Sequence, residues 1–279
     1  MHLAIRKYIS SQAILQNVSS PSGDLLPYGD GLSEPRFLPN GSADPTNHGR
    51  PKREGPALRA TILGAYARWL VDNGQKETAK NIVWPIFRND NKYVLKHWDL
   101  PGMNLWSDSN FNGSTFFTTA AQHRAIVEGA QFSPAVGLPC AACDNEAVRS
   151  LCRLQEYWNG KEGFVNPGVD KDRLDDLPGR DSSTLLATIH MFEPEAGCDE
   201  ATFQPCSPQM LSNHKAVVDD FRKWHINKGI PAGKAVAIGA RPSGKNNILL
   251  RWGICRLRSN QICRQCMVCH YTCGSGAAL

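Results

Sequence analysis

Apolar residues recur along this chain mostly at the three- and four-residue spacing of α-helices, which predicts a mainly helical protein. The first such block follows Pro56. The residues predicted to face inward on it are Leu58, Ile62, Tyr66, Trp69 and Leu70. A second block spans residues 82–94, and Pro85 is expected to kink it near its start, because proline cannot donate a helical hydrogen bond.

Further helices are predicted at residues 117–129, 146–158, 184–192 and 208–224. In the last of them, the residues expected to point inward are Leu211, Val217, Val218 and Phe221. Long polar connections separate the blocks, notably residues 19–54 and 101–114. Loops longer than about 15 residues are uncommon in compact domains and usually carry function. The pattern therefore predicts an all-α scaffold with long functional loops, and the lack of alternating strands and helices disfavours a dinucleotide-binding sheet.

Composition agrees with a globular protein, since the 279 residues are 41% hydrophobic and 20% charged. No apolar run approaches the roughly 18 residues that a membrane-spanning helix needs. Residues 1–16 lack the apolar stretch of a signal peptide. We therefore expect no membrane partner, and the sequence leaves the localisation open.

The net charge of +5 is unevenly distributed. From Arg241 to the end there are six Lys or Arg and no acidic residue, whereas 25 basic and 26 acidic residues precede it. A balanced body of this kind gives no phosphate-binding stripe, so no nucleic-acid partner is expected. The ten cysteines also divide equally at this point. We therefore divide the chain into residues 1–239 and a Cys-rich basic tail, residues 240–279.

Six segments carry a resemblance to a known family: SSPSGDL, GLSEPRF, GRPKREGPALRA, IVWPIFRND, NGSTFFTTAAQHRAIVEG and CDEATFQPCSPQMLSNHKAVVDDFR. From about Tyr8 to Gly239 the chain resembles the fungal glucoamylases of glycoside hydrolase family 15. The resemblance implies an α/α toroid of six helical hairpins, which is incomplete here, and release of glucose from starch with inversion. It implies starch or a malto-oligosaccharide as the partner, no cofactor, a monomer and, in the family, secretion.

Inverting hydrolysis needs two carboxyl groups that stand roughly 6.5 to 9.5 Å apart across the scissile bond. By the resemblance, Ser107 occupies the position of the family's acid. The neighbouring Asp108 is a weak candidate acid, because its shorter side chain and displaced position put the proton off target. The family's base lies beyond the equivalent of Gly239, where nothing matches. We expect this chain to be inactive, and the alternative reading is a non-catalytic truncated or carbohydrate-binding remnant.

The resemblance also indicates which sugar contacts are retained. Trp106 and Gly49 match sugar-contacting positions of the family, whereas His48 stands where the family has tryptophan and Asn104 where it has aspartate. The Arg and Asp that grip the terminal glucose belong to a family segment before the equivalent of Met1. Trp106 and Gly49 are thus the two clear matches among the candidate substrate-binding residues.

Four cysteines coincide with cysteines that form disulfides in the family: Cys140, Cys143, Cys198 and Cys206. The CxxC spacing at Cys140 could instead indicate zinc or redox chemistry, but an oxidising, secreted family favours disulfides. Cys152 fits a family cysteine whose partner has no counterpart here, so we expect a free thiol.

The tail contains the spacing CxxCxxCxxxC of ferredoxin-type cluster ligands. These cysteines are Cys263, Cys266, Cys269 and Cys273. Gly274 replaces the usual proline, and no second cysteine run occurs. A shifted reading frame or an unspliced intron accounts for more of the tail than metal binding does, and we assign no metal to it.

Two further groups of residues have structural rather than chemical interpretations. His123 and His190 lie within predicted helices without an evident partner, and we expect both to be structural. Arg50, Arg53 and Glu54 are expected to form ion pairs that fix a loop.

Overall fold

The computed structural model describes residues 2–23, 29–46, 49–103, 105, 113–169 and 180–239. The helices in these ranges are α1 His2–Leu15, α2 Glu54–Asp72, α3 Lys76–Thr78, α4 Trp84–His97, α5 Phe116–Ala135, α6 Ala141–Gln155, α7 Ser183–Met191 and α8 Pro208–Phe221. The strands are β1 Ser114–Thr115, β2 Trp158–Asn159, β3 Phe164–Val165 and β4 Gly168–Val169. The predicted all-α class is confirmed.

Helix α5 is the central element, and 14 of its 20 residues are buried. It begins where Thr115 Oγ1 accepts a hydrogen bond from Thr118 N, which satisfies a backbone donor that the first turn leaves free. It contacts α2, α4, α6 and α7. Its Gly129 permits close packing against α4, because a Cβ there would lie 2.6 Å from Asn91 Nδ2.

Two apolar clusters form the core. The first lies between α2, α4 and α5, where Phe87 and Phe132 meet edge to face with ring centroids 5.1 Å apart. The second joins α5 to α6, α7 and α8, and Phe116 is central to it, contacting the rings of Tyr157 and Phe203. Since α5 contributes to both clusters, its position fixes the elements on either side.

Helix α2 departs from the prediction in the direction of its buried face. Tyr66 and Leu70 are buried as expected, but Ile62 and Trp69 are 53% and 39% exposed. The buried residues of α2 include several small ones, such as Ala60 and Ala67, and the helix packs on α5. The prediction of a face centred on the largest apolar residues was therefore wrong for Ile62 and Trp69.

The second predicted block is a π-helical turn, Ala79–Val83, followed by α4. Pro85 is the second residue of α4, directly after the π-helical turn, in which Trp84 N donates to the carbonyl of Ala79. The change from π-helix to α-helix falls between Val83 and Trp84, where the kink was expected. In α8, Val217 and Phe221 are buried as predicted, whereas Leu211 is 48% exposed and that part of the prediction was wrong.

The strands form two short antiparallel pairs that tie loops to helices. In the β1–β4 pair, Ser114 lies opposite Val169 and Thr115 opposite Gly168. In the β2–β3 pair, the register is Trp158 to Val165 and Asn159 to Phe164. None of the helices in the described ranges is long and apolar enough to cross a membrane.

Candidate functional site

Two segments meet at the start of α2: residues 49–53, here called the strap, and residues 101–113, here called the site loop. The ends of the site loop are joined by a bridge between Gly102 and Gly113, in which Gly102 N donates to Gly113 O at 3.0 Å. The chain then enters strand β1 at Ser114. The backbone therefore fixes both ends of the site loop.

Two strap residues, Pro51 and Arg53, bind the first part of the site loop. The carbonyl of Pro51 accepts a hydrogen bond from Met103 N at 3.2 Å. Arg53 Nε donates to the carbonyl of Pro101 at 2.8 Å. Gly102 packs directly on the Arg53 side chain, and a Cβ at Gly102 would lie 3.2 Å from Arg53 Cγ. The strap thus anchors the entry to the loop through both backbone and side chain.

Lys52 reaches further along the site loop than its neighbours. Its Nζ donates to the carbonyl of Leu105 at 3.2 Å and lies 3.9 Å from Glu54 Oε1. Burial lowers the pKa of Lys52, which Glu54 partly opposes. Burial raises the pKa of Glu54, opposed by Lys52 and by a hydrogen bond from Thr118 Oγ1 at 3.4 Å. A buried ion pair therefore connects the start of α2 to the loop and to α5.

Arg50 anchors the N-terminal end of the strap to the preceding loop. Its guanidinium donates to both carboxylate oxygens of Glu34, at 3.0 and 2.9 Å, and to the carbonyls of Asp44 and Thr46. Burial acts to raise the pKa of Glu34, but hydrogen bonds from Arg50 and Ser22 outweigh it, and the pKa lies below its usual range. The ion pairs expected in this segment are present, and they hold loops in place.

In sequence, the candidate substrate-binding and catalytic residues belong to these two segments, except His48, which directly precedes the strap. Gly49 begins the strap with φ of +68°, a left-handed conformation that favours glycine. Five candidates lie outside the described residues: His48, Asn104, Trp106, Ser107 and Asp108. Leu105, which stands between two of them, is described and bound by Lys52. The structure thus brings the segment of Gly49 and the segment of Leu105 together.

A small cavity of about 10 Å³ lies beneath the site loop. Gly102, Gly113, Thr118 and Gln122 are among its lining residues. Gln122 is 1% exposed, and its Nε2 has no hydrogen-bond partner among the described residues. A space of this size holds about one water molecule, and a glucose unit is far too large for it. The cavity therefore supports the loop and does not receive a sugar.

Several buried carboxylates of the described residues pair with basic side chains, and in four cases the basic side chain is itself mostly buried. Glu34 pairs with Arg50, Glu54 with Lys52, Asp90 with Arg59, and Glu128 with both Arg68 and Arg124. Each joins two segments of the chain. Such pairs anchor structure, and none of these four offers the two facing carboxyl groups of an inverting hydrolase.

The cysteines in the described ranges form disulfides as expected. Cys140 is bonded to Cys143 and Cys198 to Cys206. Cys152 is exposed and is the free thiol among the described cysteines, which agrees with the expectation. No group of His, Cys, Asp or Glu in the described part of the chain could hold a metal ion. The four tail cysteines with ferredoxin-like spacing lie outside the described residues.

Both histidines considered as alternatives have structural surroundings. His123 is buried, with Nδ1 at 3.0 Å from Ser150 Oγ, and burial lowers its pKa to about 4. His190 packs edge to face against Phe117, and burial lowers its pKa also. Neither histidine belongs to the strap or the site loop.

His123 should make the fold sensitive to acid. Its folded-state pKa lies below the usual 6.5, so its contribution to stability is complete above that pH and is lost as the pH falls towards 4. We expect a loss of about 3 kcal/mol in the free energy of unfolding across this window. Urea titrations should show a flatter pH dependence for His123→Gln. The matched exposed variant His214→Gln should keep the wild-type slope, and an unchanged slope in His123→Gln would contradict the assignment.

Lys52 is the residue of this site that the sequence reasoning missed. It lies in a segment interpreted as a set of loop-fixing ion pairs, and a lysine in a polar run gives no signal of burial. Its bond to Leu105 spans 53 residues, which no local pattern can reveal. The one available hint was its place between Gly49 and Glu54, in a long loop of the kind that carries function.

Comparisons with known proteins agree with this architecture. The sequence profile of the glycosyl hydrolases family 15 matches residues 2–245. The chain is 46% identical to a glucoamylase of Neurospora crassa over 235 residues, which cover 84% of this chain and 36% of the relative. It is 45% identical to glucoamylase-1 of Arthroderma benhamiae over 239 residues, covering 85% of this chain and 38% of the relative. The chain thus spans well under half the length of these relatives.

Solved structures show the same fold. A family 15 glucoamylase from Hypocrea jecorina superposes with a TM-score of 0.78 at 46% identity, covering 85% of this chain and 39% of the other. The glucoamylase of Hormoconis resinae gives 0.78 at 44% identity, covering 86% and 40%. The helices described above are therefore part of an α/α toroid. With the profile matching most of its length, this chain belongs to glycosyl hydrolases family 15.

Proposed function

We propose that residues 1–239 form part of the active-site wall of a glucoamylase-type, exo-acting, inverting hydrolase of starch-type α-1,4-glucans. In this proposal the chain itself binds the end of a malto-oligosaccharide without cleaving it. The observation that carries the proposal is the bond from Lys52 to Leu105, which joins the segment of Gly49 to the segment of Trp106. Lys52 follows Gly49 by three residues and Leu105 directly precedes Trp106, so this bond supports a site that combines the two candidates.

The lack of cleavage follows from the carboxyl groups. Ser107 stands at the acid position, and a serine hydroxyl is far too weak an acid to protonate a leaving oxygen. Asp108 is the remaining candidate, while the buried carboxylates Glu34 and Glu54 are held in ion pairs. Inversion also needs a second carboxylate to activate water, and in this proposal the chain supplies none. The relatives' names support starch as the substrate of a longer protein, and the tail, residues 240–279, has no part in this proposal.

Binding and cleavage can be tested separately on the purified chain. We expect maltotriose to bind, as detected by ligand-observed NMR, and to release no glucose above a buffer control. Trp106→Ala should weaken binding at least about tenfold, because aromatic side chains that contact a ligand centrally contribute about 1.4 kcal/mol or more. The matched control is Trp69→Ala on α2, which lies 16 residues beyond Arg53, or about 24 Å along the helix. The Trp69→Ala variant should bind maltotriose with the affinity of the wild-type chain.

Three results would overturn parts of this proposal. Glucose release that disappears in Asp108→Asn would show that the chain is active and that Asp108 is its acid. Equal loss of binding in Trp106→Ala and Trp69→Ala would show that the ligand contacts a different surface. Absence of maltotriose binding by the folded wild-type chain would remove the saccharide-binding function altogether.

A further inference from the structure

Three consecutive residues of the strap each contact the site loop, and the contacts lie at different positions along the loop sequence. Arg53 binds the carbonyl of Pro101, before the bridge at Gly102. Pro51 binds the amide of Met103, just after that bridge. The Lys52 ammonium binds the carbonyl of Leu105, which directly precedes Trp106 and Ser107. Of these three contacts, the one from Lys52 is therefore the nearest to the candidate residues.

The Lys52 ammonium is itself paired with a buried carboxylate, that of Glu54. It is 8% exposed and lies 3.9 Å from Glu54 Oε1, so its charge is compensated within the protein. Glu54 also accepts a hydrogen bond from Thr118 Oγ1, and Thr118 N binds Thr115 Oγ1 at the start of α5. The site loop leads into this start through Ser114. The Lys52–Glu54 pair thus contacts the site loop at Leu105, before the candidate residues. Through Thr118 it also reaches the start of α5, which follows those residues in sequence.

We propose that Lys52 is a positioning residue for saccharide binding, which holds the carbonyl of Leu105 against the strap. This inference rests on the proposed function. Lys52 acts through the backbone of its neighbour and need not contact the sugar. Glu54 fixes the ammonium, and a charged donor gives a stronger hydrogen bond to a carbonyl than a neutral one.

The test uses the full chain and separates positioning from stability. Lys52→Met removes the donor but leaves the Glu54 carboxylate buried without its cation, so it lowers stability as well. The double variant Lys52→Met/Glu54→Gln removes both charges and should regain most of that stability. In the double variant we expect maltotriose affinity to fall about tenfold and the amides of Gly102 and Met103 to exchange hydrogen about tenfold faster, in keeping with loss of one charged hydrogen bond.

A matched control is Arg124→Met, which weakens the buried ion pairs of Glu128 at a residue without a contact to the described residues of the site loop. It should lower the melting temperature yet leave affinity and the exchange of these two amides unchanged. Wild-type affinity and exchange in the double variant would overturn the proposal, as would equal loss of affinity in Arg124→Met. If the wild-type chain binds no maltotriose, the proposed function fails, while exchange at Gly102 and Met103 still decides whether Lys52 positions the loop.

Discussion

Replacing Arg59 with Met should lower the free energy of unfolding by about 3 to 5 kcal/mol at neutral pH, because it leaves a buried carboxylate without its cation. Arg59 on α2 binds both oxygens of Asp90 on α4, at 2.7 and 3.2 Å, and the Asp90 side chain is fully buried. Arg59 also donates to the carbonyl of Leu32 at 2.7 Å. The loss would be measured by urea unfolding, followed by circular dichroism.

The cost of Arg59→Met should be smaller in acid. Burial raises the pKa of Asp90 even though Arg59 opposes it. A raised folded-state pKa means that protonation favours the folded state, so stability is highest below the unfolded pKa and is lost as the pH rises through the folded one. Removing Arg59 moves the folded pKa higher still. The difference from wild type should therefore shrink between pH 7 and pH 4.

A double variant provides the control. Arg59→Met/Asp90→Leu removes both charges and should recover most of the lost stability, since a buried pair replaced by apolar residues of similar size is often neutral. If Arg59→Met costs less than about 1 kcal/mol, or if the double variant is no more stable than the single one, then the pair does not stabilise the fold as we describe.

Glu128→Ala should have an effect of similar size, about 3 to 5 kcal/mol. Glu128 on α5 is fully buried and pairs with Arg68 on α2 and with Arg124 one turn earlier, whose guanidinium also binds Glu193 at 2.9 Å. Its removal leaves two arginines partly buried without their shared anion. It also opens space beside Gly64, where a Cβ would lie 2.8 Å from Glu128 Oε2. Thermal unfolding followed by calorimetry would measure the effect.

A surface ion pair is the natural comparison for Glu128. Asp219 pairs with Lys215 on the exposed side of α8. Asp219→Ala should change stability by no more than about 0.5 kcal/mol, because solvent screens exposed pairs. If Glu128→Ala costs as little as Asp219→Ala, the buried network contributes no more than a surface pair.

The helices were predictable from the sequence where burial follows a regular spacing. Val217 and Phe221 on α8 are buried as that spacing predicts, and α5 begins one residue before its predicted start but continues six residues beyond its predicted end. Helix α1 was missed because it has little apolar periodicity: Ile9 is its buried residue, whereas Leu3 and Ile14 are largely exposed. Spacing therefore predicts a helix best when one face is continuously apolar.

The burial of individual faces and the construction of the site were less predictable. On α2, periodicity identified the helix, but small residues such as Ala60 and Ala67 are fully buried while Trp69 remains partly exposed. The choice between these faces depends on the shape of neighbouring helices, which local spacing does not contain. The same limit applies to Lys52, whose partner Leu105 lies far along the chain. The resemblance named Gly49 and Trp106 but could not indicate what holds their segments together.

The distance along the chain between Lys52 and Leu105 also bears on the order in which the protein folds. Individual helices form in about a microsecond, whereas a contact across 53 residues requires the intervening chain to close a large loop, at a cost in entropy. That intervening chain includes α2 and α4, which contact each other in the first core cluster. The contact can therefore persist only after those helices have docked. The proposed saccharide-binding surface then forms late in folding, and an oligosaccharide would bind only molecules that are already fully folded.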